Sequence, residues 1–124
     1  RICNAIDVRN GVATMENKLR GCEVVEGSVQ IVLMDRTKEA QFENLTFPEL
    51  REITDFLVFY RIQGILSLGK LFPNLSLIRG MRLMGNAALV VFDMPSLVEI
   101  GFTKLTHITE GSVVISRNPS EYTL

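Results

Sequence analysis

The chain has 124 residues and a formal net charge of −1, from 13 basic and 14 acidic side chains. This length fits one domain with a buried core, and 47% apolar residues with 22% charged residues exclude an intrinsically disordered chain. A charge near zero excludes the basic surface that nucleic acids and anionic lipids require. No apolar run reaches the length of a membrane span, so we expect no direct membrane insertion.

Two cysteines, Cys3 and Cys22, lie near the N-terminus with 18 residues between them. The spacing fits a disulfide, which would stabilise the fold by about 3 kcal/mol, while two buried free thiols are the alternative. Asn44 and Asn74 each begin an N-glycosylation sequence. Together the cysteines and these two glycosylation signals favour an oxidising, extracellular setting.

In chain order, the sequence predicts more strand than helix. Short helices are predicted within residues 15–19 (capped by Thr14), 37–45 and 65–71. Apolar strands are predicted at residues 29–34, 57–62, 89–92 and 113–116.

An internal repeat is the strongest signal. Residues 47–53 read Phe-Pro-Glu-Leu-Arg-Glu-Ile, and residues 72–78 and 94–100 repeat their proline, leucine and isoleucine at the same spacing. A period in the twenties with short strands is typical of a solenoid, in which each coil buries its apolar face on its neighbours. The sequence therefore predicts a right-handed β-solenoid with short helices at its edges.

The strands are apolar on both faces. Because side chains alternate along a strand, Val29, Ile31 and Leu33 share one face. The outward set is then Gln30, Val32, Met34, Val58, Tyr60, Val90, Phe92, Val114 and Ser116. Such a flat apolar patch, rimmed by Asp7, Arg9, Gln30 and Arg61, predicts a protein-binding surface. The alternative is that the domain's own loops cover it.

Catalytic patterns are weak. A solenoid hydrolase would need paired carboxylates, and only Asp35 and Asp93 lie near strand ends. We predict a solvent-facing turn for His107, which no nucleophile motif accompanies. No metal-ligand cluster, phosphate loop or cofactor motif is present in the sequence, so we expect neither an enzyme nor a cofactor.

Several segments resemble one known family. Residues 22–31, 53–57 and 71–80, together with 7–10 and 88–92, are similar to the first L domain (L1) of insulin and insulin-like growth factor receptors. The resemblance covers essentially the whole chain in order. It implies one non-catalytic receptor L domain over residues 1–124, shortened at its C-terminal end. Its fold would be a single-stranded right-handed β-helix of leucine-rich-repeat-like coils.

The resemblance also implies a ligand. In this family, the central sheet and a helix from the C-terminal region of the receptor α-chain together bind an insulin-like peptide hormone. The residues at the matching positions are Asp7, Arg9, Asn10, Gln30, Val32, Leu33, Val58, Tyr60, Arg61, Val90 and Phe92. Met84 and Val114 complete the expected ligand-binding set, at positions where the family usually has an aromatic and an arginine. Asp35 and Ala87 likewise replace aromatics.

The sequence therefore predicts the extracellular ligand-binding domain of an insulin-receptor-like protein. If the chain is a receptor fragment, its parent would be a receptor tyrosine kinase, whose other domains would be further partners. Two alternatives stay open: a secreted decoy that sequesters insulin-like peptides, and a structural or adhesion module that has lost hormone binding.

Overall fold

Strands make up most of the regular structure. The computed structural model describes residues 1–9 and 11–119. The elements follow in the order β1 (Ile2–Val8), α1 (Val12–Leu19), β2 (Val24–Met34), α2 (Glu39–Phe42), β3 (Glu52–Ile53), β4 (Leu57–Ile62), α3 (Leu68–Leu71), β5 (Leu77–Ile78), β6 (Ala87–Phe92), β7 (His107–Ile108) and β8 (Ser112–Ser116). The four predicted apolar strands correspond to the later part of β2 and to β4, β6 and β8.

Every pairing between these strands is parallel. One row runs β1-β2-β4-β6-β8, and a second runs β2-β3-β5-β7, with the long strand β2 shared by both. In the first row, Gln30 lies beside Val58, Val58 beside Val90, and Val90 beside Val114. The domain is therefore a stack of parallel strands in which equivalent side chains form columns.

The core lies between the two rows of strands. The inward side chains of β2, β4 and β6 are almost completely buried, and Val29, Ile31, Leu57 and Phe59 have no exposed surface. Phe72 joins the layers, because its ring lies 5.7 Å from that of Phe59 and 6.1 Å from that of Phe47. Each fully buried apolar side chain of this size stabilises the fold by roughly 1.5–3 kcal/mol relative to an exposed one.

A disulfide links β1 to the segment that leads into β2. Cys3 and Cys22 are bonded, as the spacing predicted, and their Cα atoms lie 5.8 Å apart. The enclosed segment contains α1, whose residues Met15 and Leu19 are fully buried one helical turn apart. The cross-link therefore holds α1 and β1 against the start of β2.

The structure corrects the register of the repeat. Residues 47–53 and 72–78 are equivalent, since β3 pairs with β5 and Ile53 lies beside Ile78. The next member of that column is Ile108, which places residues 102–108 as the third copy. Residues 94–100 do not join this column, because Glu99 forms a separate parallel bridge with Ser67.

The reason for the wrong register is local. Residues 94–100 and 102–108 both have a large apolar residue, then Leu, then Ile at the same spacing. Both make the same turn: the Leu97 amide donates to the Met94 carbonyl, and the Leu105 amide donates to that of Phe102. The same pattern therefore occurs at residues 94–100 and again at residues 102–108. The sequence analysis chose the first of these as the third copy because it contains the proline.

The helices are real but have different bounds. Helix α1 begins at Val12 after Gly11, without the Thr14 cap that the sequence predicted. Helices α2 and α3 have four residues each, and the Ser67 hydroxyl caps α3 by accepting a hydrogen bond from the Lys70 amide at 3.3 Å. Within residues 1–9 and 11–119, no helix is long and apolar enough to cross a membrane.

Candidate ligand-binding face

The outward side chains of β2, β4 and β6 form one continuous face. We call it the platform and define it by Gln30, Val32, Val58, Tyr60, Val90 and Phe92. They stand in two columns, because Gln30, Val58 and Val90 are register partners, as are Val32, Tyr60 and Phe92. Asp7 continues the first column onto β1, and Val114 continues it onto β8.

The platform lies in a shallow depression of about 320 Å³. Its lining consists of the platform residues with Arg9, Leu33 and Met84 around them. Val32 and Val58 are each only 5% exposed, while Leu33 and Met84 at the border are 44% and 40% exposed. The rings of Tyr60 and Phe92 stack with their centroids 5.6 Å apart. Val32 and Val58 are therefore nearly buried at the centre of the platform, whereas Tyr60, Val90 and Phe92 are partly exposed.

A left-handed residue lies at the C-terminal end of each platform strand and of β8, since Leu33 and Arg61 are the next-to-last residues of β2 and β4, and Asp93 and Arg117 directly follow β6 and β8. Leu33, Arg61, Asp93 and Arg117 have φ between 51° and 58°, a region that non-glycine residues seldom adopt. They occupy equivalent positions, because the residues around Leu33 and Arg61 pair directly between β2 and β4. This column of four residues, which we call the left-handed column, ends the regular alternation of side chains along one edge of the platform.

The left-handed column corrects the predicted orientation of two residues. Simple alternation places Leu33 inward and Met34 outward. In the structure Leu33 is 44% exposed and Met34 only 4% exposed, since the change in backbone conformation at Leu33 reverses the order. Ile62 and Met94, which follow Arg61 and Asp93, are likewise buried. Met34 therefore belongs to the core, and Leu33 borders the platform.

Two arginine side chains lie against the aromatic rings at one edge of the platform. The Arg61 Nε–H donates to Asp93 Oδ2 at 3.0 Å, and this hydrogen bond is the main cause that raises the pKa of Arg61. The Arg61 guanidinium lies 5.3 Å from the centre of the Tyr60 ring, and that of Arg117 lies 5.6 Å from the centre of the Phe92 ring. Guanidinium groups at this distance are attracted to an aromatic face.

A second ion pair lies at the β1 edge. Arg9 donates to both carboxylate oxygens of Asp7, at 2.9 and 3.2 Å, and Lys18 donates to the Asp7 backbone carbonyl at 2.7 Å. A bidentate pair fixes the orientation of the guanidinium plane. Arg9 is thus positioned at the border of the depression, with part of its surface open to solvent.

The structure brings most of the predicted ligand-binding residues together. The six platform residues, Arg9, Leu33 and Met84 share one depression, and Asp7 and Arg61 border it. Val114 lies one strand further, 40% exposed and beside Val90. Asn10 lies outside the described residues. Sequence reasoning did not place Asp93 and Arg117 at this face, although each lies at the end of a strand, as Arg61 does.

The other predicted positions are more scattered. Asp93 pairs with Arg61, and Asp35 is exposed. His107 is exposed as expected, but it lies on β7 and not in a turn. Asn44 is exposed, whereas the side-chain amide of Asn74 donates to the Pro48 carbonyl at 2.8 Å. The described residues contain no group of His, Cys, Asp and Glu that could hold a metal ion.

Comparison with known proteins identifies the class of this sheet-dominated domain. The Receptor L domain family model matches residues 21–123, so the chain belongs to the receptor L domain family.

The curated relatives that match the chain are named as receptors for insulin and related peptides. The chain is 46% identical over 119 residues to the insulin-like peptide receptor of Branchiostoma lanceolatum, a match that covers 96% of the chain. It is 46% identical to the insulin-like growth factor 1 receptor and 47% identical to the insulin receptor of Xenopus laevis, each over 95% of the chain. The chain spans 9% of the length of each of these three relatives.

Proposed function

We propose that this chain is the extracellular ligand-binding domain of an insulin-receptor-like protein, and that it binds an insulin-like peptide hormone on the platform together with a helix of the receptor. The observation that carries this proposal is the platform itself: an apolar, aromatic surface on parallel strands with charged groups at its border. Apolar centres with polar rims are typical of protein interfaces. The relatives named as receptors for insulin and related peptides support the ligand class.

The proposed architecture is a single-stranded right-handed β-helix of leucine-rich-repeat-like coils. Two rows of parallel strands support it, because each circuit of the backbone adds one strand to each row. The repeated Phe-x-x-Leu-x-x-Ile sequence at residues 47–53, 72–78 and 102–108 supports it as well. In this architecture, residues 1–124 belong to one L domain.

The proposed mechanism is helix docking. An α-helix with its side chains is about 10 Å across, while neighbouring strands lie about 4.8 Å apart, so one helix contacts about two strands at once. Tyr60 on β4 and Phe92 on β6 are register partners on neighbouring strands, and their stacked rings have centroids 5.6 Å apart. Their rings would contact the apolar face of the receptor helix, and the hormone would contact this helix and the border residues. Asp7, Arg9, Gln30 and Arg61 would fix the orientation.

An extracellular location follows the same reasoning. The disulfide between Cys3 and Cys22 fits an oxidising compartment, and the exposed Asn44 fits a glycosylated surface. The domain itself would carry no catalytic group. The kinase of the parent receptor would lie elsewhere in that protein, and binding at the platform would alter the arrangement of the other receptor domains.

Calorimetric titration tests the proposal. We would titrate the 124-residue protein with an insulin-family peptide, in the presence and absence of a synthetic peptide that reproduces the C-terminal helix of the receptor's α-chain. We expect binding that strengthens with the helix and weakens at least tenfold in Tyr60→Ala and in Phe92→Ala, since removing an aromatic hot-spot residue typically costs about 2 kcal/mol or more. Val98→Ala is the matched control, because Val98 is 59% exposed and outside the depression.

Three results would separate the alternatives. If circular dichroism shows that the protein is folded and no heat is released with or without the helix peptide, hormone binding is contradicted and a structural or adhesion module is favoured. Equal affinity with and without the helix would contradict the docking mechanism. Strong binding without the helix would favour a secreted decoy.

A further inference from the structure

Two of the methionines have exposed side chains. The sequence contains five methionines, and three of them, Met15, Met34 and Met94, are at most 4% exposed. Met81 and Met84 are 72% and 40% exposed. The thioether sulfur is the atom that oxidants attack in methionine, and its reactivity depends on whether an oxidant in solution can reach it. Exposure therefore separates these two methionines from the three in the core.

Met84 is the exposed methionine that lies at the platform. It lines the same depression as Tyr60 and Phe92, whereas Met81 lies outside it. The Met84 amide donates to the Ala87 carbonyl at 2.9 Å, and the Ala87 amide donates to the Met84 carbonyl at 2.9 Å. Ala87 is the first residue of β6. These reciprocal hydrogen bonds therefore attach Met84 to a platform strand and hold its side chain at the border.

Oxidation changes what this side chain can contact. Hydrogen peroxide transfers one oxygen atom to a lone pair of the sulfur: the O–O bond breaks, an S–O bond forms, the sulfur loses two electrons and the peroxide leaves as water. The product, methionine sulfoxide, is polar. An apolar ligand surface that covers the sulfoxide removes water from its oxygen without replacing the hydrogen bond, and this loss disfavours binding.

We propose that Met84 is an oxidation-sensitive site at the border of the platform, and that its conversion to the sulfoxide by a peroxide weakens ligand binding. The modification itself needs only an exposed thioether, whereas its effect on binding rests on the proposed function of the platform. In the proposed mechanism the hormone contacts the border residues. An occupied platform should therefore protect Met84 from oxidation and leave Met81 unprotected.

Peptide mapping after peroxide treatment tests the site without a ligand. The folded 124-residue protein is treated with hydrogen peroxide, catalase removes the excess, and mass spectrometry of a tryptic digest locates the added oxygen. Trypsin cleaves after Arg82 and Lys104, so Met84 and the buried Met94 lie on one peptide and are compared directly. We expect Met84 to oxidise at least about tenfold faster than Met94. Equal rates would overturn the inference, since the thioether of Met84 would then be as protected as one in the core.

Calorimetric titration of the oxidised protein tests the effect on binding. The insulin-family peptide and the helix peptide are added after the peroxide has been removed. Met81→Leu leaves Met84 as the only exposed methionine, and we expect peroxide treatment to weaken its binding about tenfold. Met84→Leu is the matched control, because leucine keeps an apolar side chain there without the sulfur; peroxide should leave its affinity at its own untreated value. Saturating peptides should slow the oxidation of Met84 but not of Met81.

The outcomes separate this inference from the proposed function. If the untreated protein binds neither peptide, the proposed function and the effect of oxidation on binding are both contradicted, while the mass spectra still decide whether Met84 is the oxidation site. Equal weakening in Met81→Leu and Met84→Leu would assign the effect to another residue. Unchanged affinity of Met81→Leu after complete conversion of Met84 would show that the sulfoxide does not hinder the ligand. Either of these two results would overturn the inference.

Discussion

At the scale of single residues, the left-handed column makes Leu33 unusual. An L-residue in this conformation costs roughly 1–2 kcal/mol, and a β-branched side chain is accommodated there least well. Leucine already bears this cost, so we expect Leu33→Val to lower the free energy of unfolding by the additional penalty of the β-branch, roughly 1 kcal/mol, although the substitution keeps an apolar residue at a half-exposed position. Urea denaturation of the native protein and the variant measures the difference.

The control for that substitution is Leu33→Asn. Asparagine adopts left-handed backbone conformations readily, so the free energy of unfolding should stay within about 0.5 kcal/mol of the native value. If Leu33→Val and Leu33→Asn were equally destabilising, the apolar contacts of Leu33 would matter more than its backbone conformation.

Gly69 is a residue at which only glycine fits. A Cβ atom built there would lie 1.8 Å from the carbonyl oxygen of Gly101, and the Gly69 amide donates to the Ile100 carbonyl at 2.7 Å. Gly69→Ala would therefore force two coils apart, and we expect it to lower the free energy of unfolding by at least about 3 kcal/mol. Thermal and urea unfolding measure this loss.

Gly85→Ala provides the comparison. Gly85 has a left-handed backbone, with φ of 60°, but a Cβ there meets no atom within 4 Å. Only the conformational cost of about 1–2 kcal/mol should appear. A loss at Gly69→Ala as small as that at Gly85→Ala would mean that the two coils can separate without cost.

At the scale of elements, the disulfide acts on α1 and β1. Replacing both cysteines, Cys3→Ala with Cys22→Ala, frees the loop between them and should lower the free energy of unfolding by about 3 kcal/mol. Amide hydrogen exchange should show the largest loss of protection in α1 and β1, because the cross-link lies at their ends. Uniform loss over all strands would contradict a local role, and Met81→Ala, at a 72% exposed residue, is the control.

The elements also show what sequence patterns can and cannot predict. The apolar runs predicted β4 with its observed bounds, β6 and β8 to within two residues, and the later part of β2, but they did not predict β1. The repeat predicted that Ile53 and Ile78 are equivalent, but it failed at the third copy. A seven-residue motif does not indicate which other strand it pairs with. That depends on contacts with residues distant in the sequence, such as the pairing of Ile78 with Ile108.

At the scale of the whole molecule, the same distinction applies to the candidate site. Alternation along straight strands was enough to group Val32, Tyr60, Val90 and Phe92 on one surface, where the structure has them. Nothing in the sequence indicates that Leu33 has a left-handed backbone. The inward orientation of Met34, which depends on that backbone conformation, was therefore not predictable. The long-range pair of Arg61 with Asp93 depends on register between β4 and β6, which lies beyond any local pattern.

The parallel register has a consequence for how the protein folds. In the first row, paired positions lie 28, 32 and 24 residues apart in the sequence: Val29 pairs with Leu57, Leu57 with Leu89, and Leu89 with Val113. Because the strands are parallel, no two neighbours can form a hairpin. Each strand pairs only after the residues that separate it from its neighbour have formed a loop, and such non-local topologies fold slowly. The oxidised first circuit has this closure entropy removed in advance. The disulfide between Cys3 and Cys22 closes only this first loop, so the pairing of the later strands still bears the full entropy cost of loop closure.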